Sequence, residues 1–143
     1  MKYFFRSEKL KHTKKVAKWL SRRVGNDCVV CLTGDLGAGK TTFTKFFLKY
    51  LGVKDCVSSP TFTIVKNYIT KKYNIYHMDL YRIADEQELI EIGFGEMLAS
   101  ESVMIIEWPQ IAKHYLPDNC INIEIRFDDN GDRTFEIEVI DDK

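Results

Sequence analysis

Gly34, Gly39, Lys40 and Thr41 in "LTGDLGAGKTTF" stand at the spacing G-x-x-x-x-G-K-[ST], without a mismatch. Glycines at these positions let consecutive backbone N–H groups turn inward as an anion nest, a geometry that side chains would obstruct. A phosphate chain held there also sits on the positive end of the helix that follows. Lys40 is placed to reach the β- and γ-phosphates, the Thr41 hydroxyl to bind Mg²⁺, and the Thr42 hydroxyl to approach the α-phosphate. Asp35, Leu36, Gly37, Ala38 and Gly39 make up the cradle between the first glycine and Lys40. The plain alternative is a glycine turn followed by a surface lysine. Context argues against it. The apolar run "CVVCLT" (28–33) leads in as a buried strand, and an amphipathic helix leads out.

A phosphate cradle of this kind needs a carboxylate to complete the coordination of its metal, from the C-terminal end of a neighbouring buried strand. Glu107 ends the apolar run "VMIIE" and Asp79 ends the alternating "NIYHMD". Burying either without a partner would be costly. Glu107 has the better strand and is the first choice for Mg²⁺. Asp79 is then a group behind the metal or the residue that orients attacking water. The reverse assignment stays open, as does a strand-end salt bridge at either position.

Ser59 and Thr61 in "SSPTFT" (58–63) lie where nucleotide-sensing segments occur, within reach of a γ-phosphate or its Mg²⁺; a capped strand entry is the equal alternative. Arg82 reads as an ordinary ion pair, and Trp108 either shields the site from water or belongs to the core. His12, His77 and His114 have no ligand spacing and are assigned no role. No N-K-x-D guanine-reading motif is present, which disfavours GTP. No basic lid resembles that of a nucleoside kinase, and the length leaves little room for an acceptor-binding subdomain.

The elements that must position these residues are legible as periodicities. Ser7 is placed to cap a helix running to about Val24, with Leu10, Val16, Ala17, Leu20 and Val24 near one face. The helix after the loop carries a stripe of Phe43, Phe46, Phe47, Tyr50 and Leu51, with Gly52 where a C-terminal cap belongs. "TFTIVKNYI" and "YNIYHMDLY" read as strands around the turn "TKK". "DEQELIEIGFGEML" is a helix broken by Gly93 and Gly95, and "PQIAKHYL" a short helix begun by Pro109. The closing "CINIEIRF" and "TFEIEVI" alternate on either side of an Asn-Gly turn and form a hairpin. The order α-β-α-β-β-α-β-α-β-β predicts an α/β fold. It is a single P-loop domain over 1–143, with a mixed, mostly parallel central sheet flanked by helices and a C-terminal β-hairpin.

The 143 residues carry 21 basic and 21 acidic groups, so net charge points to neither nucleic acid nor membrane. The basic residues of 6–23 and the acidic tail from Asp128 read as solvated faces. The opening "MKYFFRSEKLKHTKK" has no signal-peptide core, and no apolar run suffices for a bilayer span, so a cytoplasmic protein is expected. Cys28 and Cys31 spell C-x-x-C inside a strand, where i and i+3 face opposite ways; they read as reduced thiols rather than metal ligands.

"GDLGAGKTTF", "SSPTFTIV", "YHMDLYR" and "IIEWPQ", in this order and spacing, closely resemble the bacterial TsaE (formerly YjeE) family of tRNA threonylcarbamoyladenosine biosynthesis. The resemblance runs from about residue 7 to the hairpin. It implies an ATPase of low intrinsic activity, stimulated by partner proteins, with ATP as substrate and Mg²⁺ as cofactor. The implied partners are the TsaB–TsaD pair, which modifies adenosine with a threonylcarbamoyl group supplied through TsaC, so that contact with tRNA is indirect and hydrolysis supports repeated turnover. Residues 36–42 would bind phosphates, Lys40, Asp79 and Glu107 would be catalytic, and Thr41 and Glu107 would hold the metal. Adenine contacts would lie near Arg6–Ser7 and Gly131–Arg133, with Arg133 the cofactor-binding side chain. Here the first helical turn reads "SEKLKHT" and the hairpin "NGDR", where relatives more often carry a Glu/Thr pattern and a directly joined Gly-Arg. A non-hydrolytic ATP-gated adaptor and a small P-loop kinase are the alternatives.

Overall fold

The apolar runs of the sequence become the centre of one sheet. In the computed structural model, residues 1–35, 37–54 and 64–140 are described. The strands are β1 (Lys2–Ser7), β2 (Cys28–Thr33), β3 (Val65–Ile69), β4 (Asn74–Asp79), β5 (Val103–Glu107), β6 (Ile121–Phe127) and β7 (Arg133–Glu138). Their order is β1-β7-β6-β2-β5-β4-β3. The four central strands β6, β2, β5 and β4 run parallel, while β7, β1 and β3 pair antiparallel at the margins. The sheet is therefore mixed with a parallel centre, as expected.

Two apolar layers follow from the strand alternation. On one face Val30, Leu32, Ile75, Ile105, Ile123 and Phe135 pack with Val16 and Leu20 of α1 (Leu10–Ser21) and Phe43 and Phe47 of α2 (Lys40–Tyr50). On the other, Cys31, Met78, Met104 and Ile106 meet Leu89 of α3 (Glu86–Glu91), Phe94 and Met97 of α4 (Phe94–Ala99), and Ala112 of a 3-10 helix, Pro109–Tyr115. Cys28 packs against the first layer and Cys31 lies in the second, so the C-x-x-C thiols do face opposite ways.

The structure corrects the chain's opening. Ser7 does not cap a helix. It ends β1, a strand absent from the expected order, and its Oγ donates to Lys9 O at 2.9 Å and shares a 2.7 Å hydrogen bond with Thr13 Oγ1. Tyr3, Phe4 and Phe5 in succession hide the strand's alternation, and only register with β7 reveals it, leaving Phe4 66% exposed. Leu10 is exposed and Thr13 takes the buried position expected of it. In α2, Tyr50 turns to solvent and Leu48 is buried in its place. Gly93 does break the helical run, with φ 83°, but Gly95 lies inside α4.

Gly52 caps α2 as expected: Val53 N–H donates to Leu48 O at 3.0 Å and Gly52 N–H to Lys49 O at 3.1 Å, the paired bonds of a Schellman end. Its φ is 100°, and a Cβ there would meet only Thr70, at an ordinary 3.7 Å. Gly52→Ala should therefore lower stability by about 1 kcal/mol, the cost of an L-residue in left-handed backbone, read as a lower urea midpoint at unchanged m-value.

Candidate nucleotide site at the ends of the central strands

Parallel pairing sets Leu32 beside Glu107, and Glu107 beside Asp79. The chain leaves β2 one residue later, at Thr33, and turns through the glycine loop into α2. Ile75, His77 and Asp79 alternate onto the β4 face that packs on α1 and α2, as do Ile105 and Glu107 on β5. The loop, the lysine and both carboxylates thus belong to one end and one face of the sheet.

The glycines fit an anion cradle. Gly37 and Gly39 have φ of 81° and 102°, and Gly39 is the N-cap of α2. The first-turn N–H groups of a helix have no intrahelical acceptor, so those of residues 40–42 suit an anion. Gly34 is needed for another reason: a Cβ there would lie 2.5 Å from Ile125 O of β6. Arg133 at the start of β7 crosses the loop, its Nε donating to Ala38 O at 3.1 Å and its guanidinium 4.9 Å from the Phe127 ring centre. A Cβ on Gly39 would stand 2.6 Å from that Nε. Thr41 and Thr42 are half-buried in the first turn of α2, Asp35 and Gly37 are exposed, and Ala38 is buried.

Lys40 is buried, its Nζ donating to Gly34 O at 2.6 Å and lying 4.0 Å from the Trp108 ring centre. Burial lowers its pKa, while Glu107, Asp79 and Asp35 oppose that shift and favour the cation. Trp108 sits in left-handed backbone at φ 55°, a costly conformation for an aromatic residue. Its indole stands between Lys40 and Tyr81, the latter at 5.0 Å between ring centres.

Asp79 is 9% exposed and its Oδ1 accepts the Tyr81 N–H at 2.9 Å. Glu107 is 3% exposed and its Oε2 lies 2.8 Å from His77 Nε2. His77, assigned no role from spacing, is thus a neighbour of the site. The available signal was its position two residues before Asp79, which puts both on one face. Among the described residues, no three His, Cys, Asp or Glu side chains group as a metal cage. A hydroxyl and a carboxylate beside a phosphate cradle instead suit Mg²⁺, which keeps waters and takes phosphate oxygens.

Arg6 and the hairpin tip, expected near the base, are joined. Ser7 pairs with Arg133 across β1 and β7, and Arg6 Nη2 lies 2.7 Å from Asp132 and 3.3 Å from Asp128. Gly131 is exposed in the turn. A cleft of about 270 Å³ is lined by Gly34, Asp35 and Ala38 on the loop and by residues 124–127 of β6. Arg82 is exposed. Leu36, Ser59 and Thr61 lie outside the described residues. Burial pushes the Cys28 thiol up to about 11, keeping it protonated at neutral pH. Among the described residues no helix is long and apolar enough to cross a membrane.

The family profile described as "Threonylcarbamoyl adenosine biosynthesis protein TsaE" matches residues 7–135. This chain belongs to the TsaE family. A TsaE of Rickettsia prowazekii is 40% identical over 89% of this chain and 88% of its own length. One of Bacillus subtilis is 42% identical over 86% of this chain and 78% of its own. Both are called tRNA threonylcarbamoyladenosine biosynthesis proteins. A crystal structure of Bacillus subtilis YdiB superposes with a TM-score of 0.83 at 31% identity, covering 99% of this chain and 87% of that one.

The glycines of the loop should separate by role. Gly34→Ala meets backbone and should cost more than about 2 kcal/mol in urea unfolding. Gly37→Ala meets open space and should cost about 1 kcal/mol, while a fluorescent ATP analogue loses affinity through the distorted loop.

Proposed function

We propose that this protein is a Mg²⁺-dependent ATPase that serves tRNA threonylcarbamoyladenosine modification by enabling repeated turnover of a TsaB–TsaD assembly. The observation that carries the enzymatic part is the convergence of Lys40, Asp79 and Glu107 above the glycine loop, at the ends of adjacent parallel strands. The pathway rests on membership of the TsaE family. The partners rest on the resemblance of the four motifs. A cytoplasmic location agrees with work on tRNA, and contact with tRNA itself is indirect.

Each residue has a task in hydrolysis. Lys40 exchanges the Gly34 carbonyl for β- and γ-phosphate oxygens and neutralises charge as the terminal phosphoryl group departs. Asp79 orients the attacking water and draws its proton as the oxygen bonds to the γ-phosphorus and the bridge to the β-phosphate breaks. Thr41 and Glu107 would hold Mg²⁺, which supplies charge neutralisation on the same oxygens when bound. The resting ties of Lys40 to Gly34 O and Trp108 must be undone for this, which fits slow hydrolysis by the protein alone and stimulation by partners.

Lys40→Ala should reduce ATP hydrolysis at least about 100-fold. It should also confine a reconstituted TsaB–TsaD reaction to a single round of modification, measured as modified tRNA per complex. Repeated rounds with this variant would overturn the proposal. Wild-type protein that consumes no ATP beside its partners would be an adaptor, and labelled γ-phosphate found on an acceptor would make it a kinase. Capture of TsaB and TsaD on immobilised protein, with and without ATP, tests the partnership separately.

A further inference from the structure

We propose that His77 is a positioning residue for Glu107. Its buried Nε2 fixes the carboxylate by one oxygen, so that the other is presented to the Mg²⁺ of a bound nucleotide. The inference rests on the reading that Glu107 holds that cation.

His77 has no solvent exposure, and of its two ring nitrogens only Nε2 has a hydrogen-bond partner among the described residues. It stands on β4 between Ile75 and Asp79 and opposite Ile105, a place where an aliphatic side chain would complete the layer. An imidazole there leaves Nδ1 buried and unpaired, a cost that an aliphatic residue avoids. What the imidazole adds is a single directional contact, 2.8 Å from Nε2 to Glu107 Oε2. The terminal torsion of a glutamate is broad, so a carboxylate at a strand end is free to turn unless something holds it. The hydrogen bond to Oε2 settles its plane and leaves Oε1 as the ligand oxygen. Lys40 interacts with Glu107 as a charge, an attraction that does not choose between the two carboxylate oxygens. Groups that brace a metal-binding carboxylate in this way set its affinity for the metal.

The test compares His77→Leu, which removes the donor, with His77→Gln, whose amide restores an N–H at similar reach. Binding of a fluorescent ATP analogue is measured across a Mg²⁺ titration and again in EDTA, with circular dichroism confirming the fold. His77→Leu should raise the half-saturating Mg²⁺ concentration about 10- to 100-fold while affinity in EDTA stays within about twofold, and His77→Gln should recover most of the loss. In nucleotide-free wild-type protein, ¹⁵N spectra should show a protonated His77 Nε2 whose signal moves in Glu107→Gln. This readout stands even where His77→Leu does not fold. Unchanged Mg²⁺ dependence in folded His77→Leu, a His77→Gln variant as impaired as His77→Leu, or an Nε2 signal indifferent to Glu107→Gln would each overturn the positioning role alone. Wild-type protein whose nucleotide binding ignores Mg²⁺ would overturn the metal-site reading and this inference together.

Discussion

The register of three parallel strands, with Leu32, Glu107 and Asp79 abreast, is the constraint from which the site is built. Side chains alternate along a strand, so a slip of one residue in β4 or β5 would carry a carboxylate to the opposite face. The apolar layers resist that slip. Ile105 and Ile75 belong to the layer under α1 and α2, whereas Ile106 and Met78 belong to the other. The same packing that makes the core therefore sets two acids and a histidine on one face of the sheet, at the end where β2 enters its loop. The placement of these groups at one end of the sheet follows from strand register alone.

Around Lys40 the balance is electrostatic. Burial disfavours its charge and is the larger effect, and Glu107, Asp79 and Asp35 offset part of it. Those acids would in turn repel one another and a phosphate chain without the lysine. The buried cation and its acidic surroundings hold each other in place, and a ligand bearing negative oxygens must enter by rearranging that set. Trp108 belongs to the same arrangement, since its strained backbone turns the indole toward the amino group.

What was legible in the sequence was local in the chain. The glycine spacing, the helix it opens and the cap at Gly52 all rest on contacts within a few residues. Glu107 and Asp79 were readable because each ends an apolar or alternating run. His77 was not, because its partner lies 30 residues away and only strand pairing brings the two together. The bond from Arg133 to the loop spans 95 residues, and no spacing rule reaches that far. β1 was lost for a related reason: three successive aromatics mask its alternation, and β7, its partner, comes from the other end of the sequence.

That last pairing bears on how the protein is made. β6 and β7 are synthesised after the other strands, yet β6 lies between β7 and β2 and supplies the carbonyl against which Gly34 packs. Arg133, which braces the phosphate loop, emerges later still. On the ribosome, β2 must wait with one side unpaired until that hairpin arrives, since contacts so distant along the chain form late. The glycine loop emerges early, and its nucleotide-binding shape is completed only when the hairpin closes beside it.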